Sequence, residues 1–277
     1  MTKQSLMVLP FLFFVNVLLA DADLIQKKYE QMIYPIVRIT SISETVISRG
    51  SGTIIFNEDR EKDGNIKTFI LTNHHVIASS ISIEKKWNSL KQAFCDTEVC
   101  EDVIVEVFNY NEDGKENGRT NYDAKIVAYD SDEDLALIQL NASVKIAHIA
   151  KLSDPSQKFR MFDKVFAVGC PLGELPMPTE GQVTGLSKMI ERKSFWSISA
   201  NIAYGNSGGA VFAEKDNDFY FIGVPSRVAS SGFQIIPYMA YIIPMDRINN
   251  WFSHQKLDFL LDKNKTPTEC LKDRKTK

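Results

Sequence analysis

The residues of this chain best suited to chemistry lie in Ala203-Tyr204-Gly205-Asn206-Ser207-Gly208-Gly209-Ala210-Val211-Phe212, a serine set among glycines ahead of an apolar run. Glycines at 205 and 208 permit backbone angles that a Cβ disfavours, and they leave room for a carbonyl to approach the main chain. The N–H groups of Gly205 and Ser207, with Asn206 turning the chain between them, are candidates for an oxyanion pocket. Taken alone, the pattern equally suits a tight turn before a buried strand. A serine hydroxyl is a poor nucleophile unless a base takes its proton. The chain must therefore supply a histidine and a carboxylate as well. Of its four histidines, His74, His75, His148 and His254, the first two follow the apolar run Phe69-Ile70-Leu71-Thr72-Asn73. His74 and His75 are both candidates for the base, and His75 directly precedes apolar Val76-Ile77. Asp134 is the candidate carboxylate, at the junction of the acidic turn Asp130-Ser131-Asp132-Glu133 and the apolar run Leu135 to Leu140. Its alternative role is that of an ordinary turn or capping aspartate.

In chain order, Leu71-Thr72-Asn73-His74-His75-Val76, Asp134-Leu135-Ala136 and Gly205-Asn206-Ser207-Gly208-Gly209 resemble the trypsin-like (chymotrypsin-fold) serine proteases, most closely the HtrA/DegP-like branch. The order His, Asp, Ser belongs to that fold, whereas subtilisins and α/β-hydrolases use others. Val168-Gly169-Cys170-Pro171-Leu172-Gly173 and Gly181-Gln182-Val183-Thr184-Gly185 extend the resemblance, which covers residues 33–255. It implies an all-β fold of two six-stranded antiparallel β-barrels (trypsin-like) with a C-terminal helix. It also implies that Ser207 attacks, His75 moves the proton, Asp134 orients the imidazole, and Gly205, Asn206 and Ser207 form the oxyanion hole. The resemblance thus selects His75 over His74 as the base, leaving His74 to point away as a solvated neighbour. By the same resemblance Asn201, six residues before Ser207, forms the base of the primary pocket. Ser226, Arg227 and Val228 fall on the strand that pairs with substrate backbone, and Ala240 borders the pocket. A neutral Asn201 implies a small or medium uncharged substrate side chain. Digestive-type relatives carry an aspartate at the position of Asn206, which pairs with a freshly exposed N-terminal ammonium. Asparagine cannot form that ion pair, so activation by such a cleavage is not expected. No PDZ-like segment is expected after the closing helix.

With 277 residues, 44% of them hydrophobic, the chain can bury one large core or two coupled ones. A net charge of −3 leaves no basic field of the kind nucleic-acid binding relies on. No metal and no cofactor are expected; the expected partner is a protein or peptide substrate. Residues 1–22 read as a signal peptide: Lys3, apolar Leu6 to Leu19 interrupted by Pro10 and Asn16, then Ala20-Asp21-Ala22. The apolar stretch falls short of the roughly 20 residues that a spanning helix needs. A secreted or periplasmic protein without a stable membrane anchor is therefore expected. The domain is expected over 23–263, its barrels joined near 150–160 at Ser153-Asp154-Pro155, with 264–277 as a tail. The function expected is a serine endopeptidase. A catalytically inactive binding module and a serine esterase on the same fold are the alternatives.

These side chains need strands and turns to position them. A short helix is expected over 24–32 and a strand from Tyr34, where Ile36, Val37 and Ile39 mark the apolar positions. Gly50-Ser51-Gly52 reads as a turn into a second strand, residues 57–66 as a polar hairpin loop, and Thr68 to Thr72 as the strand that delivers His75. Further strands are expected over 103–110, 122–129, 135–140, 164–169, 181–185, 195–202, 219–224 and 240–244. Trp87 to Cys100 is less regular. Cys95 and Cys100 bracket four residues there and are a candidate small disulfide in an exported protein. Cys170–Cys270 is a second candidate, with a buried unpaired Cys170 as the alternative. Met245 to Leu261 reads as the closing helix and Lys272 to Lys277 as a frayed end.

Overall fold

Short apolar segments separated by polar turns close into two barrels in the computed structural model, which describes residues 23–43, 46–111, 114–232 and 234–272. The expected signal segment 1–22 and residues 273–277 lie outside the described residues. The first half contributes β1 (Ile36–Ile42), β2 (Ile47–Glu58), β3 (Lys67–Thr72), β4 (Ile81–Asn88), β5 (Ala93–Cys100), β6 (Val103–Tyr110), β7 (Glu116–Asp130) and β8 (Leu135–Leu140). The second half contributes β9 (Lys164–Gly169), β10 (Met177–Ile190), β11 (Lys193–Ile198), β12 (Ala210–Lys215), β13 (Asp218–Ser231) and β14 (Gln234–Pro244). One barrel closes in the order β1-β2-β3-β8-β7-β6 and the other in the order β10-β11-β14-β13-β12-β9. Closure removes the free edges that a flat sheet would present.

Alternation along the strands sorts side chains into three clusters. Val37, Ile39, Ile54, Ile70, Val105 and Ile138 fill the first barrel. Val165, Ala167, Ile198, Val211, Ile222 and Ile242 fill the second. Outward-facing residues of both, including Phe69, Phe166, Phe212 and Phe221, meet Trp251 and Phe252 of the closing helix in the largest cluster. Each such side chain contributes about 1.5–3 kcal/mol by leaving water, so this shared layer presses the barrels together. The connecting chain is pinned at both ends. Ala150 N–H donates to Ile54 O at 2.8 Å, and Ser153 N–H donates to Phe221 O at 3.0 Å.

The closing helix runs Met245–His254 and stops short of the expected Leu261. Lys256 takes a left-handed φ of +56°. Its N–H bonds to Ser253 O at 3.1 Å and that of Leu257 to Phe252 O at 2.8 Å, a Schellman ending made without glycine. The bend carries Phe259 onto Phe56 and Phe69, with ring centroids at 5.5 and 4.8 Å. A last short helix, Pro267–Lys272, buries Pro267 and Cys270, so this part of the expected tail is packed. Thr268 N–H also donates to Glu61 there, at 2.9 Å.

The stretch read as irregular is a hairpin of β4 and β5, a two-stranded sheet of its own. Asn88 Oδ1 closes its turn by accepting the N–H groups of Leu90 and Lys91, each at 3.0 Å. This hairpin corrects the candidate disulfide. Cys95 pairs across from Lys86 and Cys100 from Ile81, at opposite ends of one extended strand. Five residues of strand span roughly 16 Å, and an odd separation turns the side chains to opposite faces. A disulfide needs Cα atoms about 4.4–6.8 Å apart. All four cysteines are free, Cys170 and Cys270 included. Burial pushes the Cys170 thiol up to about 12.

Non-reducing peptide mapping of the oxidised protein should recover Cys95 and Cys100 without an intramolecular bridge; a linked pair would contradict the hairpin. Phe259→Ala should destabilise the fold by about 3–5 kcal/mol in denaturant titration, because it empties an aromatic contact with no exposed wall to collapse.

Candidate active site

Strand register brings the first two chemical groups together. β3 pairs with β8, Leu71 opposite Leu137 and Thr72 opposite Ala136, so the residues just beyond, His74-His75 and Asp134, meet at the barrel rim. Asn73 is extended and starts one helical turn, His74–Ile77, which is held down by buried Val76 and Ile77. Asn73 Nδ2–H donates to the Asp134 carbonyl at 2.7 Å and steadies that residue at a left-handed φ of +54°. The Asp134 carboxylate accepts from His75 Nδ1 at 2.9 Å and from the His75 N–H at 3.2 Å. The hydroxyl of Ser226, from the second barrel, donates to its other oxygen at 2.7 Å. Burial works to raise the pKa of Asp134, but the His75 ring bond, its charge and the Ser226 hydroxyl outweigh that and hold it below the ordinary aspartate value. An ionised carboxylate only accepts hydrogen bonds. His75 therefore carries its proton on Nδ1 when neutral and leaves Nε2 as a proton acceptor.

His74 turns the other way. Its ring stacks on Tyr129 at 5.2 Å, and burial lowers its pKa despite the opposing charges of Asp134 and Asp130. His148 packs edge-on against Tyr34 at 5.0 Å, and His254 ends the closing helix. Glu133, beside Asp134, is braced by Arg247 from that helix at 2.6 Å, with the guanidinium lying 4.6 Å from the Phe195 ring centroid.

The serine loop begins with a turn in which Asn206 N–H donates to Ala203 O at 3.1 Å while Gly205 has a φ of +97°. Positive φ at the third residue is the mark of a type II turn. Among the described residues the N–H groups of Gly205 and Ser207 have no acceptor. Asn206, expected with them, uses its N–H to close the turn and is not a free donor. Gly208 sits at φ +81°, where a Cβ would fall 2.2 Å from both Ser51 O and Thr72 Oγ1 and 3.1 Å from Asn73 N. The loop therefore lies directly on the turn that carries His75, and only glycine fits the contact. The Ser207 hydroxyl makes no hydrogen bond among the described residues.

The strand expected to bind substrate has a vacant edge. Among the described residues β12 pairs with β13 only from Asp218 to Gly223, whereas Arg227 and Val228 pair with β14 alone, opposite Tyr241 and Ala240. Pro225 O, just before them, accepts from the serine-loop Gly208 N–H at 3.4 Å, and an extended peptide can add to an unpaired strand edge. A register shift between Pro225 and Arg227 leaves Ser226 bulged, which turns its side chain to Asp134 instead of along the strand. Arg227 reaches Glu191 at 2.6 Å. Asn201 is exposed, with its carbonyl accepting from Thr179 Oγ1 at 2.6 Å. Ala240 is fully buried in the second barrel's core, so its side chain does not border a pocket as expected. Two participants escaped the sequence reading: Ser226 as a partner of Asp134, and Ser51, buried in β2 and bonded to the serine loop. The flanking glycines were the only sequence signal for Ser51.

A sequence profile described as a trypsin-like peptidase domain matches residues 50–224. Over 187 residues the chain is 31% identical to the periplasmic pH-dependent serine endoprotease DegQ of Escherichia coli, covering 66% of this chain and 32% of that protein. Over 215 residues it is 30% identical to a probable periplasmic serine endoprotease, DegP-like, of Buchnera aphidicola, covering 76% of this chain and 36% of the relative. The chain thus spans about a third of the length of these relatives. Among solved structures, an HtrA-type protease with tripeptide superposes with a TM-score of 0.56 at 19% identity, over 82% of this chain and 62% of that one. That likeness speaks for the fold.

The depressed Asp134 pKa adds stability that is present above the titration of an unfolded aspartate, about 3.9, and is lost as pH falls through the folded value. Ser226→Ala removes one of the bonds that hold it down. The folded value should then rise and the acid-unfolding midpoint move to higher pH; an unchanged midpoint in an acid titration followed by circular dichroism would contradict the assignment.

Proposed function

Because the chain belongs to the trypsin-like peptidase family, we propose that it is a serine endopeptidase that uses Ser207, His75 and Asp134 as its catalytic residues. The observation that carries this reading is the Asp134 carboxylate bonded to His75 Nδ1, with the glycine-bound Ser207 loop packed against the same turn. Ser207 Oγ attacks the carbonyl carbon of a peptide bond while His75 Nε2 accepts its proton. The C–O bond that forms makes a tetrahedral centre, whose oxyanion accepts from the unused N–H groups of Gly205 and Ser207. On collapse the C–N bond breaks, the amine departs with the proton from His75, and the acyl group stays on Ser207. Water then gives a proton to His75 Nε2 and attacks the ester carbonyl; the C–O bond to Ser207 breaks, His75 returns the proton to Ser207 Oγ, and the acid leaves. Asp134 keeps the ring in the required tautomer and stabilises the transient imidazolium. This division of labour follows the general serine-protease template.

Substrate backbone adds to the vacant edge of β13 at Ser226 to Val228, and its side chain reaches toward Asn201. With no charge at Asn201, an uncharged side chain is the preferred one. The protein acts outside the cytoplasm, a reading supported by the periplasmic names of its bacterial relatives and by the composition of residues 1–22.

Ser207→Ala should lower kcat for peptide hydrolysis by about 10⁴–10⁶ with little change in melting temperature. A fluorophosphonate probe should label the native protein at Ser207 and leave the variant untouched. A folded native protein that fails to label would be an inactive binding module. One that labels and cleaves esters but no peptide would be an esterase.

A further inference from the structure

We infer that Ser51, a residue of the first barrel, is a positioning residue for the oxyanion hole, an assignment that rests on the proposed serine-protease reading. Ser51 is fully buried in β2, paired opposite Arg38 of β1. Its backbone N–H donates to Ser207 O at 2.8 Å, and its carbonyl accepts from Thr72 Oγ1 at 2.7 Å. Its hydroxyl sits between Cys170 N at 2.7 Å and Gly205 O at 2.6 Å. The Cys170 N–H can only donate, so the single hydroxyl proton of Ser51 goes to the Gly205 carbonyl.

That bond controls an orientation. A peptide unit is planar, with C=O and N–H pointing opposite ways. The unit between Tyr204 and Gly205 is held through its carbonyl by the Leu172 N–H, at 2.6 Å. Its N–H, the proposed oxyanion donor, therefore points away from Leu172. The next unit, between Gly205 and Asn206, is held through its carbonyl by Ser51. Both planes meeting at the Gly205 Cα are thus fixed, and the type II form of the turn follows. A type I turn would need the first plane to flip, swinging the Gly205 N–H out of the hole. Resistance to that flip comes unequally from the two anchors. Leu172 is exposed, in the short helical turn Pro171–Gly173, at a left-handed φ of +54°. Ser51 is fully buried on a strand of a closed barrel, paired with β1. Without its hydroxyl, the Gly205 carbonyl and the Cys170 N–H both lose their partner, which favours rearrangement of the turn.

The test is Ser51→Ala in the full chain, with kcat and KM for a peptide substrate, fluorophosphonate acylation rate, and affinity for a peptide boronic acid and for the matching peptide acid. The boronate adduct occupies the oxyanion hole, whereas the acid reports on the substrate strand and pocket. Thermal melting counts the folded fraction. Loss of one oxyanion donor costs about 10²–10³ in kcat, and a displaced donor somewhat less. A folded Ser51→Ala protein should therefore lose roughly 10–100-fold in kcat, acylation rate and boronate affinity. KM and affinity for the acid should stay within about 3-fold, less than half the free-energy change of a tenfold effect. Equal kcat in the two proteins would overturn the assignment, as would a loss confined to KM or one matched by loss of folded protein. If the native protein neither labels nor cleaves, the protease reading itself falls, and this inference with it.

Discussion

A carboxylate between two apolar barrels is tolerable only if donors reach it from several sides. Leaving one charge buried and unpaired costs several kcal/mol, whereas hydrogen bonds to charged groups return about 1.5–3 kcal/mol each. Asp134 collects the ring and backbone N–H of His75 from its own barrel and the hydroxyl of Ser226 from the other. Because the pKa is lowered in spite of burial, the donors win. That balance ties the site to the docking of the barrels. Ser226 arrives only because β13 bulges where it does, and β13 lies there only because the shared aromatic layer holds the second barrel against the first.

Legibility in the sequence follows how local each device is. The strand runs and the glycines of the serine loop were readable because each is a run of neighbours with one physical purpose. The closing helix was overextended, since the apolar pattern continues through Leu257 and Leu260 and nothing announces a stop. A lysine in left-handed conformation ends it, because burying Phe259 favours the bend over another helical turn. The β4–β5 hairpin was missed for the opposite reason. Its strands expose Ile83, Trp87 and Phe94 and bury almost nothing, so no inside-outside alternation marks them. Spacing in sequence then made Cys95 and Cys100 look like a loop closure, whereas extended backbone keeps them apart.

The roles of Ser226 and Ser51 were illegible for another reason. Both are single hydroxyls whose partners lie 92 and 154 residues away in sequence. Chemistry that depends on such partners becomes visible only once the fold has brought them together. Ala240 shows the converse. Its place in a family pattern suggested a pocket wall, and the register of β14 opposite Val228 turned it into the core instead.

The serine loop joins these constraints. Gly208 backs onto the turn leading to His75 so closely that any Cβ would force the first barrel's Ser51 and Thr72 apart from it. Gly50 makes the reciprocal contact, wedged between Val76 and the Ser207 carbonyl. Two missing side chains thus set how closely the serine loop lies on the turn that carries His75, the proposed base, and two hydroxyls, on Ser51 and Ser226, set the orientation on either side of it. Distance is enforced by repulsion, which is steep and tolerates no substitution. Orientation is enforced by hydrogen bonds, which are softer and can be exchanged for one another as a turn rearranges. The packing of the loop on the barrel is therefore the harder of the two constraints on this site, and the bonded peptide planes around Gly205 are the softer one.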